Sequence, residues 1–309
     1  MSAERKAAAL LGALVADAAA LGLHWNYDTS RVKEVADAHG SAAFVPLDAT
    51  HYEGVPAYFV HALRFDGMQS QYGEVLRLAM RSILENNGFD GARYRVAFVE
   101  FFGAGGPYQG YIDRPTRGVL ENTLAESQVT GIDDDQLPAI ATLPAIFAWY
   151  SGSVQSTIAK AAREVTNINN VAEDYASVCA NVLNDLLSGK DLKTALKMTA
   201  QETEGEIGES LREALSTDEV DSIAYAQVTG MACHLPMAVP LAFHIMSRAK
   251  DYADAVEKNI RAGGDSCGRA IIIGSIMAAA CGLRDIPLNW VLKLDNAEKV
   301  WTQCQALAR

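Results

Sequence analysis

Two stretches decide the fold of this chain: residues 263–282, GGDSCGRAIIIGSIMAAACG, and residues 12–25, GALVADAAALGLHW. Small residues are common in both, so the backbones of neighbouring helices can approach closely there. Each stretch also carries a carboxylate, Asp17 within the first and Asp265 near the start of the second. A buried carboxylate needs a metal, a cation or several hydrogen-bond donors. The two stretches therefore predict two core helices with a polar site between them.

Outside these stretches, apolar residues recur at helical spacing nearly everywhere, and alternating strand patterns are almost absent. This pattern predicts more than ten helices in a single all-α domain over residues 1–309. Two irregular segments, residues 41–67 and 103–113, are rich in Gly, Pro and aromatic residues and are candidates for pocket-lining loops. Helix starts are predicted at Thr29-Ser30, Ser70, Thr116, Asn169-Asn170 and Asp191, and helix ends at Gly40, Asn87-Gly88, Ser151-Gly152, Gly189 and Gly282.

Composition narrows the class of protein. The chain has 309 residues, of which 50% are hydrophobic, and this excludes a disordered chain. Its net charge of -12 opposes binding to nucleic acid or to an anionic membrane surface. No signal-peptide pattern and no apolar run of the ~18 residues needed to span a membrane is expected. The five cysteines have no metal-binding spacing, which favours a reduced cytoplasmic compartment.

The motifs resemble a known family. Residues 12–18, GALVADA, resemble the GxxxGDA opening of the ADP-ribosylglycohydrolase family, and residues 263–267, GGDSC, resemble its C-terminal GGDTD. Residues 24–28, HWNYD, and 70–73, SQYG, are more similar to the branch that contains the J1 crystallins. The resemblance covers nearly the whole chain. It implies a single orthogonal multi-helix domain with a central cleft.

That family, as the resemblance implies, holds two Mg²⁺ that orient ADP-ribose and a water molecule. The three ligand motifs of the family fall here on His24, on residues 70–72 and on residues 265–268, where only Ser70 and Asp265 suit Mg²⁺. Mg²⁺ demands near-octahedral oxygen ligation, usually with more than one carboxylate. No cofactor is therefore firmly predicted. Mg²⁺ stays an open alternative, and His24 and Cys267 are softer ligands that suit zinc better.

The leading functional hypothesis is a hydrolase-like enzyme for a small polar substrate, ribosyl or amide-bearing. Asp265 is the candidate acid/base or orienting group, with a pKa that burial is expected to raise. His24 is the candidate base or hydrogen-bond donor, and Cys267 a candidate nucleophile at a helix start. In the structural alternative, Cys267 is a small core residue and His24 a buried, hydrogen-bonded histidine.

Further residues are candidates for binding the substrate. Free N–H groups at the helix start near Ser70 are expected to hold a substrate oxygen. Helix capping or a plain loop is the structural alternative for several of the others. The predicted substrate-binding set is Asp17, Tyr27, Asp28, Ser70, Gln71, Tyr72, Tyr108, Asp113, Asp135, Gln136 and Asn167.

Two other functions stay open at this point. One is a non-catalytic, crystallin-like structural protein, which the high net charge and compact core also fit. The other is a conventional Mg²⁺-dependent ADP-ribosyl hydrolase whose ligands are displaced to Asp17, Asp28 or residues 133–135. The predicted partner is a small molecule, with no nucleic acid and no membrane. The oligomeric state is left open.

Overall fold

The two small-residue stretches form the central pair of helices in a computed structural model that describes residues 2–308. Almost every side chain of both helices is buried. No β-strand occurs in the described part of the chain, which forms one all-α domain. The helices are α1 (Ala3–Ala20), α2 (Thr29–His39), α3 (Gln71–Asn86), α4 (Gly91–Phe102), α5 (Arg114–Leu124), α6 (Leu143–Trp149), α7 (Val154–Arg163), α8 (Asn170–Leu187), α9 (Leu192–Glu202), α10 (Gly205–Ser216), α11 (Ser222–Thr229), α12 (Leu235–Arg248), α13 (Tyr252–Arg261), α14 (Ser266–Cys281), α15 (Leu288–Val291) and α16 (Ala297–Leu307), with 3₁₀ turns at Leu21–Leu23, Ala49–Tyr52, Leu137–Ile140 and Leu283–Asp285.

Glycine allows α1 and α14 to pack with their backbones in contact. A Cβ atom on Gly274 would lie 2.4 Å from the carbonyl oxygen of Gly12 and 2.6 Å from the Cβ of Ala16. A Cβ atom on Gly12 would lie 2.5 Å from the carbonyl oxygen of Gly274. Real Cβ atoms do not approach backbone oxygen so closely, so both positions require glycine.

Most of the predicted helix starts are confirmed. The side chains of Ser70, Asn169 and Asp191 accept hydrogen bonds from N–H groups of the first turns of α3, α8 and α9. The predicted start at Thr116 is wrong by three residues, because Asp113 caps α5 and its carboxylate accepts the N–H of Thr116. An acidic cap two residues before a proline therefore outweighs the threonine that follows it.

The expectation that no segment is long and apolar enough to span a membrane is wrong. Residues Ala3–Leu23 meet that test on length and composition alone, with a mean hydropathy of 1.6. The whole of its most apolar window is buried inside the protein. A buried core helix of a large domain passes the same test, because both environments select apolar side chains.

The polar end of the central pair is closed by backbone pairing between two segments that are distant in sequence. Trp25 donates its N–H to the carbonyl of Gly264 at 2.8 Å, and Gly264 donates its N–H to the carbonyl of Asn26 at the same distance. These bonds bring the segment after the first 3₁₀ turn against the start of α14. His24 is thereby placed beside Asp265.

Candidate active site

Asp265 is the centre of the candidate site. Its carboxylate is fully buried at the start of α14. Oδ1 accepts hydrogen bonds from His24 Nε2 at 3.1 Å and from the N–H of Gly268 at 2.9 Å. Oδ2 accepts from the hydroxyl of Tyr72 at 2.7 Å and from Trp25 Nε1 at 3.1 Å. Two donors on each oxygen meet the demand of a buried carboxylate without a metal ion.

The pKa of Asp265 is lower than that of an ordinary aspartate. Burial by itself raises the pKa, but the attraction of His24 and the hydrogen bonds from His24, Tyr72 and Trp25 together lower it to about 2. The expectation that burial leaves Asp265 with a raised pKa is therefore wrong. Asp265 is ionised near neutral pH, so it can orient and attract other groups but has no proton to give.

A second buried histidine extends the site. His24 Nδ1 lies 2.7 Å from Nε2 of His61, and the two rings stack with centroids 4.9 Å apart. Burial, reinforced by the charges of His24 and Arg64, lowers the pKa of His61 well below its ordinary value. His61 is therefore neutral near pH 7. Its Nδ1 atom is buried and has no hydrogen-bond partner among the described residues.

The start of α3 is occupied by groups of the protein. The carboxylate of Asp17 accepts the backbone N–H of Ser70 at 2.8 Å and also its hydroxyl. Ser70 Oγ in turn accepts the N–H of Tyr72 at 3.1 Å. The expectation that the N–H groups near Ser70 are free to hold a substrate oxygen is therefore wrong for Ser70 and Tyr72, whose N–H groups are bonded to the aspartate and to the serine cap.

Cys267 lies next to this cap and is fully buried. Its thiol donates to the carbonyl of Asp17 at 3.6 Å. Burial, together with the nearby charges of Asp17 and Asp265, raises the pKa of the thiol well above its ordinary value. A nucleophilic cysteine needs a lowered pKa and access to the substrate, so this placement opposes the predicted nucleophile role.

The 103–113 loop is tied to α3 through its last residue. Gln71 Oε1 accepts the N–H of Asp113 at 2.6 Å, while its Nε2 donates to the hydroxyl of Thr116. Burial raises the pKa of Asp113, whose Oδ2 has no partner among the described residues. Within the loop, Tyr108 donates its hydroxyl to the carbonyl of Tyr111 at 2.9 Å.

The other predicted binding residues are held by neighbours other than Asp265. Asp28 caps α2, where it accepts the N–H of Arg31 at 2.8 Å. Asp135 pairs with His234 Nδ1 at 2.6 Å. No hydrogen bond joins the remaining members to Asp265 within residues 2–308. These are Gln136 and Asn167, which both donate to Asp134, and Tyr27, which is half-buried and packs edge-on against Tyr58.

Two members of the site were missed from the sequence. Trp25 is not among the predicted site residues, yet its indole N–H donates to Asp265. His61 lies in the 41–67 segment, which was predicted to line a pocket. A single histidine in an irregular segment has no spacing partner, so the composition of the loop was the only available signal.

A buried ion pair anchors that segment. Arg64 Nη2 lies 2.8 Å from Glu74 Oε1 and also donates to the carbonyl of Gln69 at 2.6 Å. The guanidinium lies over the ring of Tyr108, 5.1 Å from its centroid. Arg64 therefore joins the 41–67 segment, α3 and the 103–113 loop, three residues from His61.

Replacing Arg64 by Ala is expected to lower the free energy of unfolding by about 3 kcal/mol, because the buried Glu74 carboxylate loses the cation that is hydrogen-bonded to it. Arg77 also approaches Glu74, but at 3.6 Å, and is the matched control. Arg77→Ala is expected to cost about 1 kcal/mol or less. Urea denaturation followed by circular dichroism measures both. Equal losses in the two variants would contradict the anchoring role of Arg64.

The residues present do not fit the two Mg²⁺ that the resemblance implies. Asp265 has both oxygens saturated by protein donors, and Asp17 is bound to Ser70. The other carboxylates that could replace the family's ligands, Asp28 and those of residues 133–135, are engaged as a helix cap and in side-chain pairs. Asp113 Oδ2 is a buried carboxylate oxygen without a described partner, and one such oxygen does not make a two-ion site.

Comparison with known proteins agrees with this fold and these motifs. The model of the ADP-ribosylglycohydrolase family matches residues 2–309. Crystallin J1A of Tripedalia cystophora is 27% identical over 322 residues, which covers 99% of this chain and 97% of the crystallin, and Crystallin J1B of the same organism is 26% identical over the same length. A solved structure titled "ADP-ribosylglycohydrolase-related protein complex" has a TM-score of 0.70 at 18% identity, covering 99% of this chain and 98% of its own. The chain belongs to the ADP-ribosylglycohydrolase family, in the branch that resembles the J1 crystallins.

Proposed function

We propose that this protein is a hydrolase-like enzyme that acts on a small polar substrate, ribosyl or amide-bearing, without the dinuclear magnesium site of its family. One observation carries the proposal: an ionised carboxylate holds a histidine that contacts a second, neutral histidine. Perturbed titratable groups gathered in this way are typical of active sites. Family membership supports a hydrolase fold.

In this scheme, Asp265 orients the ring of His24, and His61 is the group that accepts a proton. The ionised carboxylate accepts the proton on His24 Nε2, so the ring of His24 is fixed and its Nδ1 faces His61. His61 is neutral and has an unpartnered nitrogen, and a neutral imidazole can accept a proton or bind an electrophile. The His24–His61 pair is thus the group that activates water against the substrate.

The substrate would approach over an aromatic rim. Trp25 covers Asp265 from the outside and is half-buried. Its ring lies edge-on to Tyr111 and Tyr58, with centroids 4.8 and 6.2 Å away, and Tyr58 is 63% exposed. Aromatic rings with polar edges suit the faces of sugar or base rings.

We also propose a cytoplasmic location, in keeping with five free cysteines, and neither nucleic acid nor membrane as a partner.

The test is hydrolysis of a panel of ribosyl amides, nucleosides and small amides by the purified protein in EDTA. His61→Gln and His24→Gln should each lower turnover of any substrate by about 100-fold or more. His234→Gln is the matched control, because His234 is an exposed histidine that pairs with Asp135. Normal turnover by folded His61→Gln would overturn the assignment.

The same proposal predicts the response to ADP-ribose. Calorimetric titration with ADP-ribose is expected to give the same result in Mg²⁺ as in EDTA, because the buried carboxylates of Asp17 and Asp265 are already bound by protein donors. Binding that requires Mg²⁺ would restore a conventional Mg²⁺-dependent ADP-ribosyl hydrolase. It would also show that these side chains rearrange around the ions.

A non-catalytic, crystallin-like role is the second candidate. It is favoured by the saturation of Asp265, which leaves that carboxylate no free acceptor for a substrate. The J1 crystallins are also relatives over nearly the whole chain. Thermal melting against a broad set of small polar metabolites separates the two functions. An enzyme is stabilised by at least one of them in proportion to the logarithm of its concentration, and a purely structural protein by none.

A further inference from the structure

We infer that His24, His61 and Cys267 form a binding site for one soft divalent cation such as Zn²⁺. Each residue offers one ligand atom, the three atoms lie within 4.8 Å of one another, and all three side chains are buried. Two imidazoles and a thiolate are ligands that Zn²⁺ prefers and that Mg²⁺ does not. The inference goes beyond the proposed function, because metal binding requires no turnover.

The orientation of His24 suits a metal ligand. Its Nε2 lies 3.1 Å from Asp265 Oδ1, and in the neutral tautomer that donates this N–H to the carboxylate, the lone pair of Nδ1 points toward His61 Nε2, 2.7 Å away. A ligating histidine almost always donates its other N–H to a carboxylate or carbonyl group, which sets the tautomer and raises the basicity of the ligand. Asp265 supplies that outer contact for His24.

Groups of the protein would offset part of the charge of the ion. A cysteine bound to Zn²⁺ gives up its proton, and the carboxylate of Asp265 lies directly behind His24. Negative groups beside a buried cation reduce the cost of removing it from water. The thiol of Cys267 donates to the carbonyl of Asp17 at 3.6 Å and also interacts with the side chain of Ser70, and its sulfur would exchange these weak contacts for the metal.

The two histidines need a small adjustment to bind an ion together. With Zn–N bonds of about 2.0 Å, a tetrahedral ion places two nitrogen ligands about 3.3 Å apart. The two facing nitrogens of His24 and His61 are 2.7 Å apart, so the rings must separate by roughly 0.6 Å to admit the ion. Three protein ligands leave the fourth position for water, as in catalytic rather than structural zinc sites.

The site would also connect three distant segments. His24 follows the first 3₁₀ turn, His61 lies in the 41–67 segment, and Cys267 is in the first turn of α14. A bound ion therefore cross-links the long irregular segment to the central helix pair. Binding that favours the folded state raises the melting temperature with metal concentration.

The experiment uses the full chain, stripped with a chelator and equilibrated for hours with Zn²⁺ alone or Co²⁺ alone, because the ligands are buried. We expect one metal per chain by elemental analysis, a higher melting temperature, and a tetrahedral Co²⁺ spectrum with a thiolate-to-cobalt charge-transfer band. Cys267→Ser should abolish that band and weaken binding about tenfold or more. Cys281→Ser, which removes an exposed cysteine, should change neither.

Several results would overturn the site. They are no bound metal even when Zn²⁺ or Co²⁺ is present during refolding, a thiolate band that persists in Cys267→Ser, or equal losses in Cys281→Ser. If Cys267→Ser does not fold, X-ray absorption of the Zn²⁺-loaded wild-type chain decides, with two nitrogens and one sulfur expected and a shell without sulfur overturning the site. Hydrolysis by a chain that binds no metal would overturn this site and leave the proposed function standing. One metal per chain without hydrolysis of any substrate would support the metal site and overturn the proposed function.

Discussion

Gly274→Val is expected to destabilise the protein by about 3 kcal/mol or more, the upper end of the cost of overpacking a core. The new side chain would start 2.4 Å from the carbonyl oxygen of Gly12 and 2.6 Å from the Cβ of Ala16. The Gly12 oxygen belongs to the backbone of a buried helix, so it cannot turn aside as a flexible side chain would. The central helices α1 and α14 must separate, and the helices packed against them then lose contact with them. Urea denaturation followed by circular dichroism measures the loss.

Ser275→Ala is the matched control on the same helix. Ser275 is equally buried, and its hydroxyl has no hydrogen-bond partner among the described residues. Removing an unsatisfied hydroxyl is expected to be neutral or slightly stabilising. A Gly274→Val protein as stable as Ser275→Ala would contradict the close contact of α1 with α14.

Asp265→Ala is expected to cost about 3–5 kcal/mol, as is usual when one partner of a buried charged group is removed. Tyr72, Trp25 and His24 would each keep a buried donor without its acceptor, and the cap of α14 would be lost. The measurement is again urea denaturation, with EDTA present to exclude metal binding. Asp28→Ala, which removes the cap of the peripheral helix α2, is the control and is expected to cost about 1 kcal/mol.

The dependence of the free energy of unfolding on pH in the acid range tests the charge on Asp265. Its folded pKa is lowered to about 2 from the usual 3.8, so its stabilising contribution is complete above pH 3.8 and is lost as the pH falls toward 2. The shift corresponds to about 2 kcal/mol. Asp265→Asn cannot titrate, so its stability should lack this part of the acid dependence. The same loss of stability between pH 3.8 and pH 2 in the wild type and in Asp265→Asn would contradict an ionised Asp265.

How far the site could be predicted depends on the kind of signal each residue leaves in the sequence. His24, Tyr72 and Asp265 were predicted as one polar group, because all three lie at motif positions where helices begin or end. Trp25 and His61 left no such signal, since their roles depend on which loop covers which helix end. The pKa of Asp265 could not be predicted either, because burial raises it and the number of donors decides the result.

The sequence by itself determined the all-helical class, the two small-residue core helices and most helix caps, since helical period, glycine and capping side chains act over a few neighbouring residues. Only the tertiary structure decided what the polar residues contact. It brought His61 to His24 across 37 positions and Tyr72 to Asp265 across 193. It also placed the carboxylate of Asp17 in hydrogen-bond contact with Ser70 and buried Cys267. The physical reason is that charge, burial and hydrogen bonding depend on neighbours in space, and chain folding chooses those neighbours far beyond the range of any local pattern.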